Sequence, residues 1–305
     1  MNSVFDCAII GGGPAGLNAA LVLGRARRNT ILFDNNNPRN AVTQESHGFI
    51  TRDGIKPQEF RDIAHKDIAK YPSVVYNKEE ITSITKKGQL FELVASNKEL
   101  YQSKTIIIST GLKDVLPDIE NISDYYGKSL FNCPYCDGWE MRDKPLVVII
   151  EEQKAQSFQF IQTVYHWSKD LIVCTNGKSI LNSEQKRLIQ NKDIKLMENK
   201  IKNFEGKDGQ MEKIHFENGE SIIRKGGFVA PQPIQASDFA KKLGCEYNSL
   251  GGISVDFFGK TNVEGVYAAG DASVFNPAQL IIAASDGLKA AAGVNRDLIQ
   301  KEFME

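Results

Sequence analysis

Cys133-Pro134-Tyr135-Cys136-Asp137 places two thiols and a carboxylate within one short stretch. Two cysteines separated by two residues can close a disulfide within one turn of chain. When the first thiol attacks a partner's disulfide, the second is placed to resolve the mixed disulfide. The adjacent carboxylate supplies the proton traffic that such exchange needs. Zinc is the other common use of such a pair, but a structural zinc site wants a second Cys/His pair at ligand spacing. The remaining cysteines, Cys7, Cys174 and Cys245, stand alone. The pair therefore reads as a redox dithiol, and no metal site is expected.

A chain of 305 residues is long enough for two domains with ample core. Its 37 Lys and Arg nearly balance its 38 Asp and Glu, which gives no electrostatic case for nucleic acid or an anionic membrane surface. Five irregularly spaced cysteines make no disulfide framework and fit a reducing compartment. Residues 1–6 carry no basic run ahead of the apolar one, so no signal peptide is read there. No apolar run approaches the ~20 residues of a membrane helix. The expectation is a soluble, cytoplasmic protein.

The elements that position the dithiol begin far upstream. Residues 4–10 are apolar and β-prone, and run into Gly11-Gly12-Gly13-Pro14-Ala15-Gly16; residues 17–27 follow with Ala and Leu at helical spacing. Strand, glycine turn, helix is the context in which a GxGxxG motif binds a dinucleotide. Gly11 permits the tight turn, Gly13 lets a pyrophosphate approach the positive end of the helix, and Gly16 allows helix to pack on strand. A second strand at 30–33 ends in Asp34, placed to accept hydrogen bonds from a ribose. Residues 35–53, including His47, read as a long functional loop, in which His47 either sits over a cofactor or caps a turn. A helix is expected at 57–70, with strands at 81–85, 89–95 and 105–108, the last closed by Ser109-Thr110-Gly111.

Past Leu112 the character changes. Residues 114–127 read as a crossover, after which comes the dithiol. A strand at 146–150, a helix at 158–167 and a strand at 171–174 repeat the N-terminal plan, so a second Rossmann-like unit is expected. Its nucleotide-binding parts are missing. Glu151-Glu152-Gln153-Lys154-Ala155-Gln156 contains no glycine, and two carboxylates would repel a pyrophosphate. A helix at 180–192 and short strands at 194–197, 214–217 and 222–224 follow. Residues 226–233 look like a return crossover, and 253–256 like a strand. Residues 261–271 form a β-run ending in Gly270-Asp271, where Asp271 suits a ligand hydroxyl or a helix N-cap. An Ala-rich helix spans 279–295.

Three of these blocks together resemble the low-molecular-weight thioredoxin reductases, flavoproteins of the pyridine nucleotide-disulfide oxidoreductase superfamily. The Gly11–Gly16 run is similar to their FAD pyrophosphate loop, residues 261–271 to their second FAD motif, and Cys133 to Gly138 to their Cys-x-x-Cys-Asp-Gly segment. The resemblance runs from Val4 to Leu298. It implies an α/β fold of two Rossmann-like three-layer domains. A discontinuous FAD domain would comprise residues 1–112 and 236–305, and an inserted NADPH-domain-like domain residues 113–235. It implies FAD as cofactor, a homodimer, and a catalytic set in which Cys136 faces the flavin, Cys133 exchanges with substrate and Asp137 is the acid/base. The cofactor-binding residues would then be Gly11, Gly13, Pro14, Ala15 and Gly16, with Asp34 and His47. Thr110 and Gly111, Gly270 and Asp271, and Gln279 and Leu280 at the start of the last helix complete them.

Two departures from that pattern set the expected activity. The family's Gly-x-Gly-x-x-Ala NADPH loop falls on Ile150, Glu152 and Ala155, and its His-Arg-Arg phosphate clamp on Cys174, Thr175 and Asn176. Glycines and arginines are both gone, which argues against NADPH as donor. The Cys133-to-Glu140 and Ser46-to-Phe49 segments are similar to a branch that includes dithiol oxidases, which pass electrons to oxygen; other relatives lacking the NADPH site draw on ferredoxin. The expected function is an FAD-dependent thiol-disulfide oxidoreductase with oxygen or ferredoxin as electron partner. Its substrate would be a small-molecule or protein dithiol or disulfide such as thioredoxin. The competing readings are an NADPH-thioredoxin reductase with an atypical nucleotide site and a non-enzymatic flavin-dithiol redox sensor.

Overall fold

The computed structural model describes residues 4–153, 155–275 and 277–305. Lys154, in the glycine-free run, and the first three residues of the expected leader-free N-terminus lie outside these. The chain forms two compact units. One comprises Met1–Ala41, Gly48–Lys113 and Pro233–Glu305, the other Val42–His47 and Asp114–Gln232.

The first unit starts with β1 (Phe5–Ile10), α1 (Pro14–Arg25) and β2 (Thr30–Phe33). Pro14 opens α1, where its missing N–H is no loss and its fixed φ suits the helix. After a polar loop come α2 (Pro57–Ile68), β3 (Val74–Asn77), β4 (Ile81–Lys87), β5 (Leu90–Ala95) and β6 (Leu100–Ile108). The sheet order is β3-β2-β1-β6-β5-β4. Its β3-β2-β1-β6 part is parallel, and β4 and β5 meander antiparallel onto the start of β6. Alternation along the buried strands builds two cores. Cys7, Ile9, Leu32 and Ile107 pack with the helices, whereas Ala8, Ile10, Ile31, Phe33, Ile106 and Ile108 face the opposite side with Phe91 and Leu93.

The second unit follows β7 (Leu112–Val115). It contains α3 (Ile122–Tyr125), β8 (Leu130–Phe131), α4 (Pro134–Met141), β9 (Leu146–Ile149), α5 (Ala155–Trp167), β10 (Leu171–Cys174), α6 (Ser183–Gln190) and β11 (Lys195–Met197). An antiparallel sheet of β12 (Ile201–Lys207), β13 (Gln210–Phe216) and β14 (Ser221–Ile223) precedes β15 (Gly226–Val229). The parallel sheet has the order β11-β10-β9-β15-β8. Leu146, Val148 and Ile150 pack on the side of α5 with Ile161 and Val164, and Val147 and Ile149 on the side of the antiparallel sheet with Phe204 and Ile214. β16 (Gln232–Gln235) pairs with β7 where the chain passes between units. The chain then adds α7 (Phe239–Lys242), β17 (Val266–Ala268), which is parallel to β6 in the first sheet, and α8 (Leu280–Met304). No helix among the described residues is long and apolar enough to cross a membrane.

Two expected elements are corrected. Residues 226–229 are no crossover but the buried strand β15, hydrogen-bonded between β9 and β8. The double glycine that suggested a linker has a packing cause: a Cβ on Gly227 would lie 2.0 Å from the Val147 carbonyl oxygen. Residues 253–256 make no strand; only Ile253 bridges, antiparallel to Tyr247. Strand β3, four half-exposed residues Val-Val-Tyr-Asn, and strand β12, half-exposed and rich in polar residues, carry no periodic signal that singles them out.

Helix α8 lies on α1 through small residues. A Cβ on Gly287 would stand 2.0 Å from the Ala15 carbonyl oxygen, and Ala19, Ala20, Ala290 and Ala291 are fully buried beside it. Gly287→Val is expected to destabilise the protein by about 1–3 kcal/mol, read as a lower midpoint in thermal unfolding. An unchanged midpoint would show that the two helices are free to separate.

Candidate active site

In the second unit, Cys133 is the N-cap of α4 and Pro134 its first helical residue. Cys136 and Asp137 both donate their backbone N–H to the Cys133 carbonyl, each at 3.1 Å. The sequence thus winds both sulfurs onto the first turn, and they are joined as a disulfide with the Cα atoms 5.3 Å apart. A thiolate released here would lie at the positive end of the helix. Gly138 seats α4 against α5, since a Cβ there would meet the Trp167 ring at 2.7 Å. Tyr135 stands edge-on to Trp167, with centroids 5.6 Å apart, and both Tyr135 and Trp139 are largely exposed on either side of the second cysteine.

Asp137 has an unusual environment. Burial, then the neighbouring Glu140 carboxylate, push its pKa up to about 7, and His47 opposes the rise. A carboxyl that changes state near neutrality can both accept and return a proton. His47 belongs to Val42–His47, the segment that packs with this unit. Its Nε2 lies 3.7 Å from a Glu45 carboxylate oxygen and 3.9 Å from one of Glu140. The structure therefore places His47, expected among the cofactor residues, in the carboxylate cluster beside Asp137. Glu140 was not among the expected site residues. Its one signal in the sequence is its position three residues, one helical turn, beyond Asp137.

The first unit brings most of the expected cofactor residues to one end of its sheet. Gly11 has φ 111°, and the Ser109 hydroxyl donates to its carbonyl at 2.9 Å. A Cβ on Gly16 would lie 1.9 Å from the Gly11 carbonyl oxygen, so the helix sits directly on the turn. A Cβ on Gly13, in contrast, meets nothing within 4 Å. Helix α1 starts with no side-chain cap and no acidic residue in its first turn. A helix start of this kind leaves its first N–H groups without intrahelical partners, the arrangement that holds a phosphate. Ala15 and Gly270 approach closely, and Asp271 follows in the 3-10 turn Gly270–Ala272, paired with Arg39 at 3.2 Å. Asp271 is thus not the N-cap that its sequence also allowed. Gln279 is the N-cap of α8 and Leu280 its first residue. Thr110 shares a 2.9 Å hydrogen bond with Ser237, and the Gly111 carbonyl accepts from Ala236 N–H at 3.0 Å.

Asp34 is buried at the end of β2, where Arg61 of α2 pairs with it and Asn36 N–H donates to it at 3.0 Å. Arg61 is itself buried, and it escaped the sequence reading because a lone Arg in an amphipathic helix gives no sign of facing inward. Asp34 also explains Gly12, where a Cβ would fall 2.2 Å from its carboxylate oxygen. The open cradle at Gly13 and the uncapped start of α1 fit the pyrophosphate of FAD.

The corresponding edge of the second unit is built differently. Glu151, just past β9, accepts from the side-chain amide of Asn176 and, at 3.0 Å, from Lys178. Asn176 in turn accepts from Ile201 N–H at 2.8 Å. Cys174 and Thr175 are fully buried, and burial pushes the Cys174 thiol up to about 12. Among the described residues, no group of three or more His, Cys, Asp or Glu is arranged to hold a metal ion.

The pyridine nucleotide-disulphide oxidoreductase family matches residues 5–150 and 163–287. A thioredoxin reductase of Claviceps purpurea is 31% identical over 281 residues, covering 88% of this chain and 87% of its own. The crystal structure of a candidate thioredoxin reductase, TrxB, from Bacillus anthracis superposes with a TM-score of 0.94 at 45% identity, covering 98% of this chain and 99% of that one. The crystal structure of HlmI gives a TM-score of 0.93 at 28% identity, over 99% and 94%.

Two outcomes follow from the geometry. The Cβ of a Gly13→Ala variant meets no protein atom within 4 Å, so the melting midpoint of the flavin-stripped protein should match wild type while the FAD retained through purification falls sharply. A lowered midpoint with full flavin content would refute the cradle. The folded-state pKa of Asp137, about 7, lies above its ordinary 3.8. Between those values the native protein holds the extra proton, so its stability falls as pH rises through the window. Asp137→Asn should therefore melt a few degrees higher than wild type at about pH 8 and little differently at about pH 4. A difference independent of pH would contradict the shift.

Proposed function

We propose, for a chain that belongs to the pyridine nucleotide-disulphide oxidoreductase family and is an FAD-dependent disulfide oxidoreductase of thioredoxin reductase type, that Cys133 and Cys136 exchange electrons with a sulfur substrate and that NADPH is not the electron partner. The observation that carries the second half is the Glu151–Asn176–Lys178 network. At the edge where a dinucleotide would lie on glycine amides, side chains are tied to one another, and the run from Glu151 to Gln156 supplies two carboxylates and no glycine. In the same reading, residues 1–112 and 236–305 are the FAD domain and residues 113–235 an inserted domain that has kept the fold and lost the nucleotide. Homodimerisation and a cytoplasmic setting belong to the proposal as well. They rest on the family resemblance and on the lone dithiol.

FAD supplies the two-electron chemistry when bound. The Gly11–Gly16 loop and the start of α1 would hold its pyrophosphate, with Asp34 and Asp271 on its hydroxyl-bearing parts. In the oxidative direction a substrate thiol attacks Cys133 and breaks the Cys133–Cys136 bond, and Asp137 takes the proton of that incoming thiol. The substrate's second thiol displaces Cys133 to leave as the disulfide, and the freed Cys136 thiolate is the group placed to pass the electron pair onward. With oxygen as acceptor, one dithiol and one O2 give one disulfide and one hydrogen peroxide, two electrons and two protons leaving the substrate. A ferredoxin-type donor, giving two electrons singly, would run the pair in reverse toward a protein disulfide such as thioredoxin's. A passive sensor has no need of a carboxyl poised near neutrality.

The test sets two reactions of the holoenzyme side by side. Dithiothreitol in air should drive oxygen uptake that Cys136→Ser abolishes. NADPH with a disulfide substrate under nitrogen should run at least about a hundredfold slower, a barrier difference of roughly 2.7 kcal/mol. Comparable rates with NADPH would overturn the proposal in favour of an ordinary reductase, and turnover indifferent to Cys136→Ser would remove the dithiol from it.

A further inference from the structure

One buried ion pair in the first unit takes no part in the thiol chemistry. Asp34, directly after β2, and Arg61 of α2 are joined through side chains only 6% and 4% exposed. A buried ion pair is seldom worth more to stability than an apolar pair of the same size, because both charges lose their hydration. This one also leaves the Arg61 Nε buried without a hydrogen-bond partner, which is a further cost. Stability is therefore a poor reason for the pair.

Its surroundings supply a better one. The Asp34 carboxylate fills the space that a Cβ on Gly12 would need, which sets it against the glycine loop. The Arg61 Nη2 donates to Asp34 Oδ2, and its Nη1 donates to Asn36 Oδ1 at 2.6 Å and to Gln58 Oε1 at 3.4 Å. Asn36 closes the ring: its backbone N–H donates to Asp34 Oδ1 at 3.0 Å, from a left-handed conformation with φ 58°. The guanidinium fork thus ties the carboxylate to the turn that follows it. Tyr76 of β3 also hydrogen-bonds Asp34, and the His65 ring lies 4.2 Å from the Tyr76 ring. An ionised carboxylate accepts about four hydrogen bonds. Asn36, Arg61 and Tyr76 fix its direction and still leave acceptor capacity for a ligand hydroxyl.

We infer that Arg61 is a positioning residue for the adenosine end of FAD, holding the Asp34 carboxylate in the orientation that selects a ribose hydroxyl. Arg61 acts through Asp34. Its planar fork reaches Asp34 and Asn36 at once, which the single ammonium of a lysine on its flexible stem does not reproduce. Without the fork, Asp34 is a buried carboxylate with its counter-charge gone and its direction unset. Binding energy from the ribose is then lost even where the pyrophosphate loop is intact.

The inference rests on the reading that Asp34 meets the ribose of FAD. The experiment measures how fast flavin leaves the full-chain holoenzyme, loaded either with FAD or with an FAD analogue lacking both adenosine ribose hydroxyls. Release is followed by the rise of free-flavin fluorescence after dilution. Wild type should release the analogue at least about tenfold faster than FAD, the worth of a hydrogen bond to a charged acceptor. Arg61→Met should release both flavins faster and at rates within about twofold of each other, because an unfixed Asp34 no longer tells them apart. Arg61→Lys keeps the counter-charge and should lower the wild-type ratio at least about threefold. It carries the test if Arg61→Met retains no flavin. A merely structural arginine would speed both releases and leave their ratio at the wild-type value, which would overturn the inference. If wild type itself releases the two flavins at one rate, Asp34 does not bind the ribose, and it is that assignment which fails.

Discussion

A helix that begins without a capping side chain leaves its first backbone N–H groups unsatisfied, and the first unit is arranged around that end of α1. Gly16 rests on the Gly11 carbonyl and Gly287 on the Ala15 carbonyl, so strand, turn and two helices are held at contact distances that no side chain permits. Within the Gly11–Gly16 run only Gly13 opens outward. The cost of unsatisfied N–H groups at a helix start is offset when an anion completes them. In the second unit the same strand-helix-strand plan recurs without glycine between strand and helix, and there the side chains of Glu151, Asn176 and Lys178 are bonded to one another. One architecture, used twice, carries an open glycine loop in one copy and a network of paired side chains in the other.

The dithiol exploits a helix start in a third way. Cys133 caps α4 and Cys136 lies in its first turn, so backbone polarity favours thiolate at the moment of exchange. Asp137 follows directly, and its burial favours the protonated acid. The adjacent groups are thus biased in opposite senses, sulfur toward the anion and carboxyl toward the neutral form. This places a proton donor beside a nucleophile near neutral pH. The free cysteines show the contrast: Cys7 and Cys174 are wholly buried, their thiols pushed up to about 12, and are inert packing groups.

Much of this is legible in the sequence because it rests on local constraints. The Gly11–Gly16 run, the Cys133-to-Asp137 segment and the family they resemble each depend on residues adjacent in the chain. The alternating buried strands β1, β2, β9 and β10 read equally plainly. What escaped depends on partners distant in sequence. Arg61 reaches Asp34 across 27 positions, Arg39 reaches Asp271 across 232, and Glu140 gains significance only when His47 is folded against it. Residues 226–233 look like a crossover in the sequence, yet residues 226–229 form β15, and Gly227 lets it lie against β9 where a side chain would strike the Val147 carbonyl.

The central claim is that electrons reach and leave the dithiol by a route that does not include NADPH. Rapid mixing of the oxidised holoenzyme with NADPH in the absence of oxygen, followed at the flavin band at about 450 nm, tests it most directly. The account predicts that micromolar NADPH leaves this absorbance unbleached over seconds, whereas dithiothreitol bleaches it in a reaction that requires Cys133 and Cys136. Fast, saturable bleaching by micromolar NADPH would contradict it.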